Sequence, residues 1–307
     1  MLTKSTKREI SGVLLLNKST GITSHKALQI AKRLLNASKA GHTGTLDPIA
    51  TGLLPVCFGE ATKFTSALLG ANKTYTATLQ LGYISSTGDA DGEISAAGSV
   101  NLTSKKIDLA IQNLTGKIMQ IPPMYSALKH EGRPLYTYAR KGVVIKRNPR
   151  EITIYDLQVI AIKKNKIDIT VTCSSGTYIR ALAEDFGKVL GCGGAYVTSL
   201  NRNAIGGINL LNSYTLDIFK NMSLAKRESC LHPIDTLLKN LPAVFVNNID
   251  SRRLLNGQTI IDVTLARKFK EGEKIRVYDN KKKLLGLGEI AKCGSITPKR
   301  LIAAESM

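Results

Sequence analysis

Residues 41–55, Gly41-His-Thr-Gly-Thr-Leu-Asp-Pro-Ile-Ala-Thr-Gly-Leu-Leu-Pro, hold three glycines, two prolines and a single Asp. Glycine admits backbone conformations closed to other residues, so this composition predicts a tight, structured loop. The ring of Pro48 biases Asp47 away from helical geometry. Such loops position functional groups, and a carboxylate held there could act as nucleophile or base. Asp-Pro is equally a plain turn signal, and the local residues leave both readings open. The other candidates offer less. Asp89-Ala-Asp-Gly-Glu looks like part of a calcium loop but lacks its third ligand and distant Glu, and reads as a turn. His25, His130 and His232 have no partner at metal spacing, and His42 stands alone beside Asp47, so no metal is expected. Phosphate-loop, dinucleotide and nucleophile-elbow signatures do not occur, which removes support for nucleotide-driven and serine-hydrolase chemistry.

The elements that must carry this loop are legible in part. An apolar run at Val13–Leu16 reads as a short strand. Ser24 is a plausible N-cap for a helix with Ala27, Ile30, Ala31, Leu34 and Leu35 on its inner face. Tyr75, Ala77, Leu79 and Leu81 alternate with polar residues, as do Ile167, Ile169, Val171 and Cys173, and both runs predict half-buried strands. Helices are expected at Ser104–Leu114 and from Ile179 to Leu190. Mixed elements without strict βαβ alternation indicate an α+β fold. Beyond about Leu241 the pattern changes to short strands, Ala243–Val246, Lys274–Tyr278 and Leu284–Ile290, as in a small appended β-barrel.

Charge points to the partner. With 43 Lys+Arg against 23 Asp+Glu the chain carries a formal +20, which favours a polyanion. Pro122–Arg150 interleaves Lys129, Arg133, Arg140 and Lys141 with Tyr125, Tyr136 and Tyr138. That mixture suits RNA, whose phosphates meet cations while unpaired bases stack on rings; a solvated loop with a surface helix would look the same. Five scattered cysteines without a C-x-x-C pair argue against a disulfide framework and fit a reducing cytoplasm. The N-terminal apolar run is too short for a signal peptide, and no stretch reaches membrane-spanning length.

Five blocks in order, GVLLLNKSTGITSH (12–25), GHTGTLDPIATGLLPVCFGEATKF (41–64), KTYTATLQLGYISSTGDADGE (73–93), IPPMYSALKHEGRPLYTYARKG (121–142) and CSSGTYIRALAEDFGKVLG (173–191), resemble the TruB family of tRNA pseudouridine synthases. The resemblance implies a pseudouridine-synthase fold with a mixed, largely antiparallel sheet flanked by helices. It also implies a catalytic domain over 1–240, with an RNA-gripping insertion at about 122–150, and a PUA-like barrel over 241–307 containing Lys299 and Arg300. By the same resemblance Asp47 is the catalytic aspartate, Tyr75 stacks on the target base, and Tyr178 and Arg180 are the active-site tyrosine and the ion-pair partner of Asp47. His42 lies beside the flipped nucleotide, Leu200 walls the base pocket, and Lys18 and Lys63 are supporting cations. The implied reaction converts a T-arm uridine of tRNA, position 55, without a cofactor, in a cytoplasmic monomer. One departure stands out: the family's Leu-Arg-Arg is here Leu200-Asn201-Arg202-Asn203, which weakens or moves one expected phosphate contact and keeps Arg202 among the RNA-binding residues.

Overall fold

The computed structural model describes residues 6–262 and 264–303. Nine strands form the main sheet: Gly12–Lys18 (β1), Ala40–His42 (β2), Thr51–Phe58 (β3), Lys73–Leu81 (β4), Gly116–Gln120 (β5), Arg150–Lys163 (β6), Lys166–Cys173 (β7), Ala195–Ile205 (β8) and Ile208–Asn209 (β9). They run in the order β1-β3-β8-β4-β7-β6-β5, with β2 on β3 and β9 on β8. Only the β3/β8 pairing, at Thr51 and Gly52, is parallel. Helices Ser24–Leu34 (α1), Ser104–Leu114 (α2) and Ile179–Val189 (α3) complete the frame. The fold is α+β with a mixed, mostly antiparallel sheet.

Burial explains the two kinds of strand. On β4, Tyr75, Ala77, Leu79 and Leu81 face the core shared with Leu182, Phe186 and Ile107, while Thr74, Thr76 and Thr78 face outward. Those threonines stitch the outer face, with Thr78 donating to Asp168 over 2.6 Å and Asn203 donating to Thr76 over 2.6 Å. On β1 and β3 alternation vanishes, because both faces are covered. Leu14, Leu16, Leu54 and Val56 join the main core, whereas Val13, Leu15, Leu53 and Cys57 join a second cluster with Leu237, Leu238, Tyr278, Leu284 and Ile302.

Two local expectations change. Residues 41–55 are not all loop, since β3 starts at Thr51 and leaves residues 43–50 as the connection. The N-cap of α1 is Thr23, whose hydroxyl accepts from the Lys26 amide, because the Ser24 hydroxyl is engaged elsewhere. At the C-terminal end, Ala243–Phe245 (β10), Ile260–Ile261 (β11), Lys274–Tyr278 (β12), Leu284–Ile290 (β13) and Ser295–Leu301 (β14) form a curled sheet in the order β10-β12-β13-β14-β11. It is half a barrel, with its own core of Val244, Leu254, Ile275, Val277, Ile290 and Ile296. Among the described residues no helix is long and apolar enough to cross a membrane.

Candidate active site

Residues 43–50 are fixed from several sides. The Ser24 hydroxyl brackets Leu46, donating to its carbonyl at 3.0 Å and accepting from its amide at 2.8 Å. Lys18 is wholly buried at the end of β1, and its ammonium donates to the carbonyls of Ser19, Ile22 and Pro48. Burial is the main cause that lowers its pKa to about 8. The Gly21 amide donates to the Pro48 carbonyl.

Arg202 closes the other side. Sequence placed it among the phosphate contacts, but it is 1% exposed on β8, so that assignment is corrected: its charge lies inside the protein. Its Nε donates to the Leu53 carbonyl at 2.8 Å and its Nη2 to the Gly44 carbonyl at 3.0 Å. The backbone of β3 passes so close to Arg202 that Gly52, at φ +103°, has no alternative; a Cβ there would lie 2.4 Å from the Arg202 carbonyl oxygen. Asn201 accepts from the Thr51 hydroxyl at 2.9 Å and donates to Asn203, extending the neutral stitching of the outer sheet face.

With its loop so held, Asp47 meets Arg180 in the first turn of α3, Oδ2 to Nε, at 2.9 Å. Arg180 is 4% exposed and engaged through all three of its nitrogens. Its Nη1 donates to the Thr87 carbonyl and its Nη2 to the Tyr125 carbonyl, both at 2.7 Å. A second carboxylate, Asp89, lies 3.6 Å from the same Nε. Asp89 is buried and accepts from the Thr87 hydroxyl at 2.5 Å and the Asp91 amide at 3.2 Å. The turn read from Asp89-Ala-Asp-Gly-Glu is therefore part of the site, a role that nothing in its local sequence announces.

The Asp47 carboxyl sits above the usual carboxylate range. Burial raises it most and the charge of Asp89 adds to this, while Arg180 and Lys18 pull it down. Protein crowds the group, yet 35% of its side-chain surface remains open to a reactant. Its charge also reaches Tyr75 and Tyr178, whose hydroxyls burial holds in the neutral form. His42, on β2, is held below the ordinary histidine value by burial, then by Arg202 and His25, and is neutral near pH 7. Leu200 lines the buried side of β8 opposite Ala77.

Tyr178 precedes α3, where no side chain caps the helix. Instead Gln120, 2% exposed at the end of β5, accepts from the Tyr178 amide at 2.8 Å and donates to its carbonyl at 3.2 Å. Gln120 carries no sequence signal of its own. Lys63 is not brought into this cluster. It lies past the other end of β3, where its ammonium meets Glu60 at 2.6 Å and the Leu301 carbonyl at 3.2 Å.

The basic residues of the insertion are exposed, Lys129 and Arg133 on a short hairpin and Arg140 and Lys141 just past the helix Leu135–Ala139, and Arg140 lies over the Tyr136 ring. Lys299 and Arg300 are exposed on β14. Among the described residues no three His, Cys, Asp or Glu side chains gather as a metal would require. What the centre offers is one partly open carboxylate beside a buried one, three buried cations, two aromatic rings and an apolar wall.

Residues 32–179 match the model of the TruB family pseudouridylate synthase N-terminal domain, and residues 242–302 match that of the pseudouridine synthase II TruB C-terminal region. The chain is 55% identical over 310 residues to tRNA pseudouridine synthase B of Nitrosospira multiformis, covering 99% of each. It is 48% identical over 300 residues to the enzyme of the same name from Thiobacillus denitrificans, covering 98% of each. Among solved structures, a chain of a Cbf5–Nop10–Gar1 complex shares the fold with a TM-score of 0.73 at 24% identity, over 96% of this chain and 86% of that one.

Proposed function

Because this chain belongs to the TruB family of pseudouridine synthases, we propose that it isomerises uridine to pseudouridine in tRNA, at position 55 of the T-arm loop, with Asp47 as the catalytic carboxylate. The observation that carries the reading is the Asp47–Arg180 pair, a carboxylate accessible from outside and held at 2.9 Å from a buried guanidinium.

In this reaction the N1–C1′ bond breaks, the uracil turns, and C5 joins C1′. The proton of C5 leaves and N1 gains one, so substrate and product are isomers and no co-substrate is consumed. Asp47 must meet the ribose ionised, whether it attacks carbon or removes a proton. Arg180 serves that state electrostatically, and its bonds to Thr87 and Tyr125 keep it from following the carboxylate. The target base has to leave its stack, at a cost of a few kcal/mol. Tyr75 offsets part of this by stacking, Leu200 supplies an apolar wall, and neutral His42 and Tyr178 offer hydrogen bonds at the rim. Residues 1–240 hold this chemistry, Lys129, Arg133, Arg140 and Lys141 grip the RNA arm, and the C-terminal sheet with Lys299 and Arg300 meets its distal part.

The test compares pseudouridine formation on an unmodified tRNA transcript by the intact chain and by Asp47→Asn. The expected result is one modified T-loop uridine for the intact chain, and for the variant undiminished binding with turnover lower by roughly a thousandfold or more. Binding without turnover in both chains would make this an RNA-binding protein that only keeps the fold. Modification only after a guide RNA is supplied would favour the other arrangement compatible with this architecture.

A further inference from the structure

Helix α1 has an outward face that the reaction does not use. Ala27, Leu28 and Ala31 pack into the core, while His25, Lys26, Gln29 and Arg33 face outward. At its C-terminal end lies a cavity of about 220 Å³ lined by Lys7, Gln29, Lys32, Arg33, Asn36 and Ala37. Three cations line it and no carboxylate does. Among the described residues none of Lys7, Lys32 and Arg33 belongs to an ion pair, whereas the adjacent Arg8 pairs with Glu228.

Lys32 and Arg33 alone could be explained as cations complementing the C-terminal end of a helix dipole. Lys7 cannot, because it comes from a separate segment that the bridge between Arg8 and Ala37 lays against the end of α1. Like charges converging on one concavity repel each other and focus a positive potential there, and a bound anion relieves the repulsion. Gln29 adds amide hydrogens that an oxyanion can accept.

We propose that this pocket binds a phosphate, and specifically a backbone phosphate of the tRNA whose target base enters the Asp47 site. The inference rests on the tRNA reading given above. Position supports it: α1 starts at Ser24, which brackets Leu46 beside Asp47, and its 11 residues at 1.5 Å each put the end of the helix that carries the pocket about 16 Å along its axis. An RNA arm engaged at Asp47 spans that distance. The pocket reads no sequence, and fixes where along α1 the backbone lies.

The test measures tRNA affinity across salt concentrations for the wild-type chain, for Lys32→Gln/Arg33→Gln, and for Lys7→Gln, which lies outside the helix and cannot unwind it. An adjacent pair on α2, Lys105→Gln/Lys106→Gln, is the control. The expected result is a slope of log Kd against log salt smaller by about one for the pocket variants, with the loss at low salt read in KM for tRNA rather than in kcat, and the wild-type slope for the control. Wild-type slopes in both pocket variants would overturn the proposal. Titration with inorganic phosphate separates the sources: binding that depends on Lys32 and Arg33 without any change in the tRNA slope would make this a free-anion pocket and reject the RNA. If tRNA binding depends on the pocket while the wild-type chain makes no pseudouridine, the enzymatic reading fails and the pocket stands.

Discussion

Burial and a neighbouring cation pull the Asp47 carboxyl in opposite directions, and burial wins. The acid limb of kcat/KM on tRNA should therefore lie above pH ~4, where an ordinary Asp titrates. Two variants should move it in opposite senses. Arg180 favours the ionised form, so Arg180→Met raises the limb; the charge of Asp89 opposes ionisation, so Asp89→Asn lowers it, and pH–rate profiles read both. Equal movement in one direction would show that Asp89 acts only by holding Arg180. Gln120 belongs to the same scale. Gln120→Leu leaves the amide of Tyr178 without a partner and its carbonyl with the Leu182 amide alone, at about 1–3 kcal/mol of stability for an unsatisfied group. It should depress kcat more than KM, because the turn carrying Tyr178 and Arg180 loosens after RNA has bound; thermal unfolding and steady-state kinetics check the two effects.

At the scale of elements, legibility followed periodicity. Helices α1, α2 and α3 and strands β4 and β7 each bury one face, and their residues alternate accordingly. Strand β3 did not declare itself, because a stretch buried on both faces has no period to read. Strand β8 is broken by irregularities at Val197/Ser199 and Arg202/Ala204, and β6 by others at Ile154/Asp156 and Val159/Ala161, which shift the side chains out of alternation. The site was legible through resemblance more than through local pattern. The motifs pointed to Asp47, Arg180 and Tyr75, which the fold brings together, but Asp89, Gln120 and the inward turn of Arg202 depend on partners distant in sequence. Arg202 in particular reads as a surface cation until β3 and β8 are seen side by side.

Over the whole molecule, the C-terminal sheet is joined to the main one by a shared core. Tyr278, Leu284 and Ile302 pack with Val13, Leu15 and Leu53. Around them the Tyr278 hydroxyl donates to Asp235 at 2.9 Å, Arg276 to the Leu241 carbonyl at 2.9 Å, and Lys63 to the Leu301 carbonyl. Removing residues 241–307 uncovers a face of β1 and β3 built from side chains worth about 1.5–3 kcal/mol each, comparable in sum to the ~5–15 kcal/mol that holds a domain folded. The intact chain should melt in one calorimetric transition, and the 1–240 fragment should melt far lower or not fold; two well-separated transitions in the intact chain would contradict this. Such a joint also makes the molecule a calliper. On the proposed reading its jaws are Asp47 and the curled sheet, held at a fixed separation, so that an RNA arm shortened by a base pair or two should fill one jaw only, and length becomes a means of selection alongside sequence.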